Sequence, residues 1–138
     1  MRHTRLEGGK VLRRAHHPRW AFLPLSGDGA AKSGGRFNRP GVPALYLSFD
    51  LATAEAEYRQ DAEIADPMTV VSYVSHLPDL VDLRCHDDTW DPLWVDWACD
   101  WRQMYVDDIE PPSWALGDML LAAGDSDSSS RAWRNRTA

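Results

Sequence analysis

Ser26-Gly27-Asp28-Gly29-Ala30-Ala31-Lys32-Ser33-Gly34-Gly35-Arg36-Phe37-Asn38 leads, across a short Pro/Gly link, into Ala44-Leu45-Tyr46-Leu47-Ser48-Phe49. The first part is rich in glycine, which lets backbone N–H groups come close to an anion. Lys32 and Arg36 add positive charge, and a guanidinium can grip two phosphate oxygens at once. Two standard phosphate motifs nevertheless fail here. A P-loop needs glycine at the positions held by Ser26 and Ala31, and a dinucleotide fingerprint needs one at Lys32. The bland alternative is a surface loop with many turns. The second part is β-prone, short and bounded by Pro43 and Asp50, and predicts a strand over 44–49. Asp50 then caps a helix predicted over 51–62.

Outward from this stretch, residues 10–16 predict a strand with Arg13 and Arg14 on opposite faces, since side chains alternate with period two. Residues 24–43, with five Gly and three Pro, predict a long loop. Residues 68–76 and 80–83 predict two further strands. Trp90, Trp94, Trp97 and Trp101 recur at steps of four, three and four, so one helix over about 92–105 is expected to carry them as a stripe facing a core or a partner. Ser113 is expected to cap a helix over 114–123 that stops at Gly124. Residues 125–138 are polar and predict a disordered tail. The mixture is α+β, in one compact domain over residues 1–124.

The 138 residues are 43% hydrophobic and 26% charged, which excludes wholesale disorder. No run of about 18 apolar residues exists, so no membrane partner is expected. Two cysteines, Cys85 and Cys99, are too few for a disulfide scaffold, and the start is not a secretory signal; a reduced, cytoplasmic protein is expected. No metal site is expected: His16 and His17 face opposite ways on a strand, and Cys85-His86-Asp87-Asp88 has no second ligand pair. The net charge of −6 is unevenly spread. Residues 1–39 hold nine Lys/Arg against two acids, and the rest holds six against nineteen. That asymmetry points to an anionic ligand at the basic end. A nucleic-acid-binding arm is one candidate and a solvated basic face another; the acidic pI of about 5.2 disfavours the former.

Leu12-Arg13-Arg14-Ala15-His16-His17-Pro18-Arg19-Trp20-Ala21-Phe22, Leu25-Ser26-Gly27-Asp28-Gly29-Ala30, Gly34-Gly35-Arg36-Phe37-Asn38-Arg39-Pro40-Gly41, Ala44-Leu45-Tyr46-Leu47-Ser48 and Ala54-Glu55-Ala56-Glu57-Tyr58 together resemble the RES-domain toxins, which are encoded beside Xre-like antitoxins. The resemblance covers about residues 10–124 and is densest over 10–58. It implies an ADP-ribosyltransferase-like β core with flanking helices. It also implies consumption of NAD as substrate, with no further cofactor, by hydrolysis, phosphorolysis or transfer of ADP-ribose to a protein target. Arg14 matches the family's first essential Arg, Arg36 the Arg of its Gly-Gly-Arg-aromatic-Asn motif, Tyr46 its strand Tyr and Glu57 its helix Glu. Phe37 and Asn38 of that motif join Lys32, Arg14, Arg36 and Tyr46 as expected substrate-binding residues. Helical periodicity alone leaves Glu55 and Glu57 equivalent; the resemblance selects Glu57.

After Ala122-Ala123-Gly124 the chain departs from the resemblance, which implies an apolar strand, a Pro-Ser pair and a last strand. Ser130 is the nearest counterpart to the Ser that completes the family's Arg-Glu-Ser set. The expectation is a truncated or frame-shifted end that lacks the last strands and weakens activity. In a competing reading the chain is an inactive remnant that only docks an antitoxin through the Trp stripe or an uncovered sheet edge. As toxin or as remnant, the chain is expected to meet nucleic acid only indirectly, through the antitoxin.

Overall fold

The structure is a computed structural model and describes residues 1–60, 66–124 and, as backbone, 133–134. Two long strands organise it. β1 (His3–His16) pairs antiparallel with β2 (Thr69–Asp82), in regular register from Lys10↔Ser75 to His16↔Thr69. Toward the start of β1 the register slips twice, beside Gly9 with φ +84 and opposite Pro78. A bulge of this kind absorbs a proline that could not donate to a regular ladder. The two strands expected at 68–76 and 80–83 are therefore one, bent at the irregularity. The strand expected at 10–16 likewise begins at His3.

Other expectations are corrected. The loop at 24–43 contains α1 (Asp28–Ser33), whose entry is set by the Ser26 hydroxyl accepting from the Asp28 N–H at 3.1 Å. Residues 44–49 form no strand. Only Ser48 pairs with the β1 backbone, through two 2.7 Å hydrogen bonds with Arg13, because the Ala44 N–H turns back to Gly27 O and Tyr46 turns into the loop. The predicted cap does form: Asp50 accepts from the Thr53 N–H at 2.7 Å and opens α2 (Leu51–Gln60), which packs on β1. Residues 61 and 62 of the expected helix lie outside the described residues.

The single Trp helix is broken in two. Asp91 accepts from the Leu93 N–H and starts a short 3-10 turn, Pro92–Asp96; Asp100 accepts from the Gln103 N–H and starts α3 (Trp101–Val106). Side-chain carboxylates that bond nearby backbone N–H groups favour caps over helix interiors, and here they override the periodicity. Trp90, Trp94 and Trp97 consequently pack on the core, whereas Trp101 lies apart and lines a cavity. α4 (Pro112–Ala123) begins two residues earlier than expected, with Pro111 as its cap. Ser113 is thus no cap: it is fully buried in the first turn. Gly124 closes the helix through its N–H to Leu121 O.

The core joins Phe37, Leu83, Trp90, Leu116 and Leu120, so α4 and the Trp turns cover one end of the sheet. Within the stretch expected to be a disordered tail, β3 (Trp133–Arg134) pairs parallel with Val81 and Asp82 of β2, giving the order β1-β2-β3. Ser130 and the rest of that stretch lie outside the described residues. The architecture is α+β in a single domain. Among the described residues no helix is long and apolar enough to cross a membrane.

Beside this core Asp82 is 1% exposed, and Arg84 binds it through Nε at 2.7 Å and Nη2 at 2.5 Å. These bonds hold its carboxyl down at about 2, from an ordinary 3.8. A carboxylate depressed by folding stabilises the protein above its unfolded value and loses that contribution as pH falls through its folded value. Chemical denaturation between pH 4 and pH 2 is therefore expected to show a loss of about 2 kcal/mol from this group, and Asp82→Asn to flatten that part of the slope.

Candidate functional site

On β1 the alternation of side chains puts Leu12, Arg14 and His16 on one face. Leu12 and His16 are each 4% exposed, and Arg14 lies half-buried between them. One arm of its guanidinium donates to Ser26 O at 3.0 Å, which fixes it against the turn that enters α1.

The Gly34-Gly35-Arg36-Phe37-Asn38 turn follows α1. Gly34 has φ +78, a conformation open chiefly to glycine. At Gly35 a Cβ would lie 2.6 Å from Asn38 Oδ1 and 2.7 Å from the Tyr46 hydroxyl, so no side chain fits. That hydroxyl accepts from the Phe37 N–H at 3.0 Å and donates to Asn38 Oδ1 at 2.7 Å. Asn38 in turn donates through Nδ2 to Ala30 O and Val42 O. Trp114 of α4 donates to Gly35 O at 2.8 Å, and Gly117, one helical turn on, leaves room for the Phe37 carbonyl. With Phe37 buried in the core, Arg36 is turned the other way, toward the cavity. There Nη1 donates to Cys99 O at 2.7 Å, tying the turn to the segment before α3.

The face of α2 that carries Asp50, Thr53, Ala54 and Glu57 closes the opposite wall. Glu57 lines the cavity and Glu55 does not. The resulting cavity measures about 730 Å³, within the range that holds cofactor-sized ligands. Arg14, Arg36, Tyr46 and Glu57 all line it, and three more arginines, Arg13, Arg19 and Arg102, stand around them. Against these cations are Asp50, Glu57 and Asp66. An excess of guanidinium groups with one carboxylate on the helical wall suits an anionic ligand that also carries hydroxyls.

Tyr46 is 38% exposed because its ring opens on this space, while its hydroxyl is sunk in the turn. Burial is the main cause that pushes the hydroxyl up to about 12; Glu57 pushes the same way, while the Phe37 and Asn38 bonds and Arg36 oppose. It stays protonated at neutral pH and engaged with the turn. Three expected ligand-binding residues are absent from the lining. Lys32 is exposed on α1 and directed elsewhere, Phe37 belongs to the core, and Asn38 spends its amide on the loop. Conversely, the sequence reading passed over His16, Arg19, Trp20, Trp101 and Arg102, all of which line the cavity. Period-two alternation from Arg14 could have flagged His16; nothing local flags Trp101 or Arg102, which arrive from a distant helix. Among the described residues no three His, Cys, Asp or Glu are grouped to hold a metal ion.

Removing the Tyr46 hydroxyl leaves the Phe37 N–H and Asn38 Oδ1 without their partner. Tyr46→Phe is therefore expected to destabilise the fold by about 1–3 kcal/mol in urea denaturation, although it deletes a single oxygen atom.

The RES domain family model matches residues 11–130. Searches of curated proteins and of solved structures each returned no match. The matched span holds Arg13 and Arg14 of β1, the Gly-Gly-Arg-Phe-Asn turn, Tyr46 and α2, which contribute to the cavity, and α4, on which the turn docks. The chain belongs to the RES domain family.

Proposed function

We propose that this protein cleaves the nicotinamide–ribose bond of NAD, acting as a toxin that an Xre-like antitoxin restrains in the cytoplasm. The observation that carries the reading is that Arg14, Arg36, Tyr46 and Glu57, drawn from four separate segments, line one cavity in a chain of the RES domain family.

Breaking a glycosidic bond to ribose builds positive charge on the sugar, as in an oxocarbenium-like transition state. Nicotinamide departs as a neutral base, so no general acid is needed. The Glu57 carboxylate, beside the ribose, stabilises the developing cation, and Arg14 and Arg36 hold the diphosphate. Each of these arginines already commits one arm to a backbone carbonyl, Ser26 O or Cys99 O, which holds its guanidinium in place before the ligand arrives. The Tyr46 ring orients the nicotinamide. Its hydroxyl, bonded to the turn and pushed up to about 12, moves no proton. Water attacking the ribose carbon gives ADP-ribose, nicotinamide and a proton; phosphate gives ADP-ribose-1″-phosphate; a side chain of another protein gives ADP-ribosylation.

Purified protein incubated with NAD, with and without phosphate, is expected to release nicotinamide together with one of these products. Glu57→Gln is expected to lower turnover by about a hundredfold or more with a smaller change in KM. Arg36→Lys is expected to act mainly on KM, since lysine cannot reproduce a two-oxygen grip. NAD left intact by the wild-type protein, or turnover unchanged in Glu57→Gln, overturns the proposal. Thermal stabilisation by NAD without turnover favours the inactive, antitoxin-binding remnant instead.

A further inference from the structure

Arg102 lines the cavity but has no part in the chemistry above. It stands in the first turn of α3, which reaches the site from the far end of the chain. Its Nη1 donates to Gln60 Oε1 of α2 at 3.0 Å. Its guanidinium also lies over the Trp101 ring, 4.7 Å from the centroid. Stacking holds the planar fork in one orientation, so little freedom is lost when the hydrogen bond forms.

Both ends of this link lead to residues of the mechanism. Gln60 lies three residues beyond Glu57 on α2, a neighbouring position on the helix surface about 4.5 Å along the axis. At the other end Cys99, three residues before Arg102, accepts from Arg36 Nη1 at 2.7 Å. Asp100 lies between them and fixes the entry to α3 by accepting from the Gln103 N–H. One capped segment thus grips Arg36 on one side and α2 on the other. The start of α2 is anchored by the Asp50 cap and the buried Ala54, but no residue from Glu55 to Gln60 is buried. Side-chain bonds hold this end instead. The Tyr58 hydroxyl donates to Pro67 O at 2.8 Å, ahead of β2, and Gln60 accepts from Arg102. An exposed hydrogen bond adds little to folding stability, yet a shift of about 1 Å at a reacting centre can cost a hundredfold in rate. We propose that Arg102 and Gln60 are positioning residues, whose bond keeps the Glu57 carboxylate in place opposite Arg36. This inference rests on the reading of the cavity as the site of NAD cleavage.

Steady-state release of nicotinamide from NAD, with the Tm of each variant, tests it. Gln60→Ala puts a good helix former at an exposed position and is expected to keep Tm within about 2 °C. It is expected to lower kcat about tenfold while KM stays within about twofold. Arg102→Ala is expected to lower kcat at least as far, and the double variant to fall no lower than Arg102→Ala, because one bond is lost in each. Gln60→Glu keeps the accepting oxygen and adds attraction to the guanidinium, and is expected to retain most of the turnover. Turnover unchanged in Gln60→Ala, losses that multiply in the double variant, or a Gln60→Glu protein as slow as Gln60→Ala overturns the assignment. A loss in Arg102→Ala that falls on KM, with Gln60→Ala silent, also overturns it and puts Arg102 on the ligand itself. Wild-type protein that consumes NAD while its variants give one of those results overturns this inference alone. Wild-type protein that leaves NAD intact overturns it together with the function it rests on.

Discussion

Gly35 lies so close to Asn38 and to the Tyr46 hydroxyl that no side chain could stand in its place. The rest of the cavity depends on this close approach. Through it, one tyrosine hydroxyl joins the Phe37 N–H to Asn38, and Asn38 reaches on to the carbonyls of Ala30 and Val42. A turn held from so many directions keeps Phe37 in the core and Arg36 out of it. Buried polar groups that are fully satisfied specify one conformation, and here that conformation aims a guanidinium.

The same turn couples the two halves of the domain. Trp114 and Gly117 dock it on α4, and Arg36 reaches the Cys99 carbonyl ahead of α3. Arg39, immediately after it, pairs with both Glu110 and Asp118 and lies over the Trp114 ring. The basic first third of the chain thus meets the acidic remainder at defined points. Part of the charge asymmetry serves this internal contact, and part, at Arg14 and Arg36, faces the cavity. Preorganised donors of this kind bind an anion with little rearrangement, and electrostatic catalysis requires that.

Some of this was legible in the residues and some was not. The Asp50 cap, α2, the β1 face carrying Arg14, and the grouping of Arg14, Arg36, Tyr46 and Glu57 in one cavity follow the sequence reading. The strand at 44–49 does not: its composition is β-prone, but strand formation needs a partner along its whole length, and only Ser48 has one. The Trp helix fails for a local reason, since Asp91 and Asp100 cap new turns where periodicity alone runs through. Phe37 and Asn38 share a motif with Arg36 and yet serve the scaffold, because adjacent residues in a tight turn point in different directions.

The residue pattern by itself pointed to segments that line the cavity, because glycine tolerance, capping and alternation are properties of a few neighbouring residues. It also placed the chain in its class and its family. Helical periodicity left Glu55 and Glu57 equivalent and the resemblance selected Glu57; the tertiary structure puts Glu57, and not Glu55, in the cavity wall, since a helix face acquires meaning from the wall it is packed against. It alone brought Trp101 and Arg102 to the cavity. Contacts between residues far apart in the chain depend on how the elements pack, and no local pattern encodes that packing.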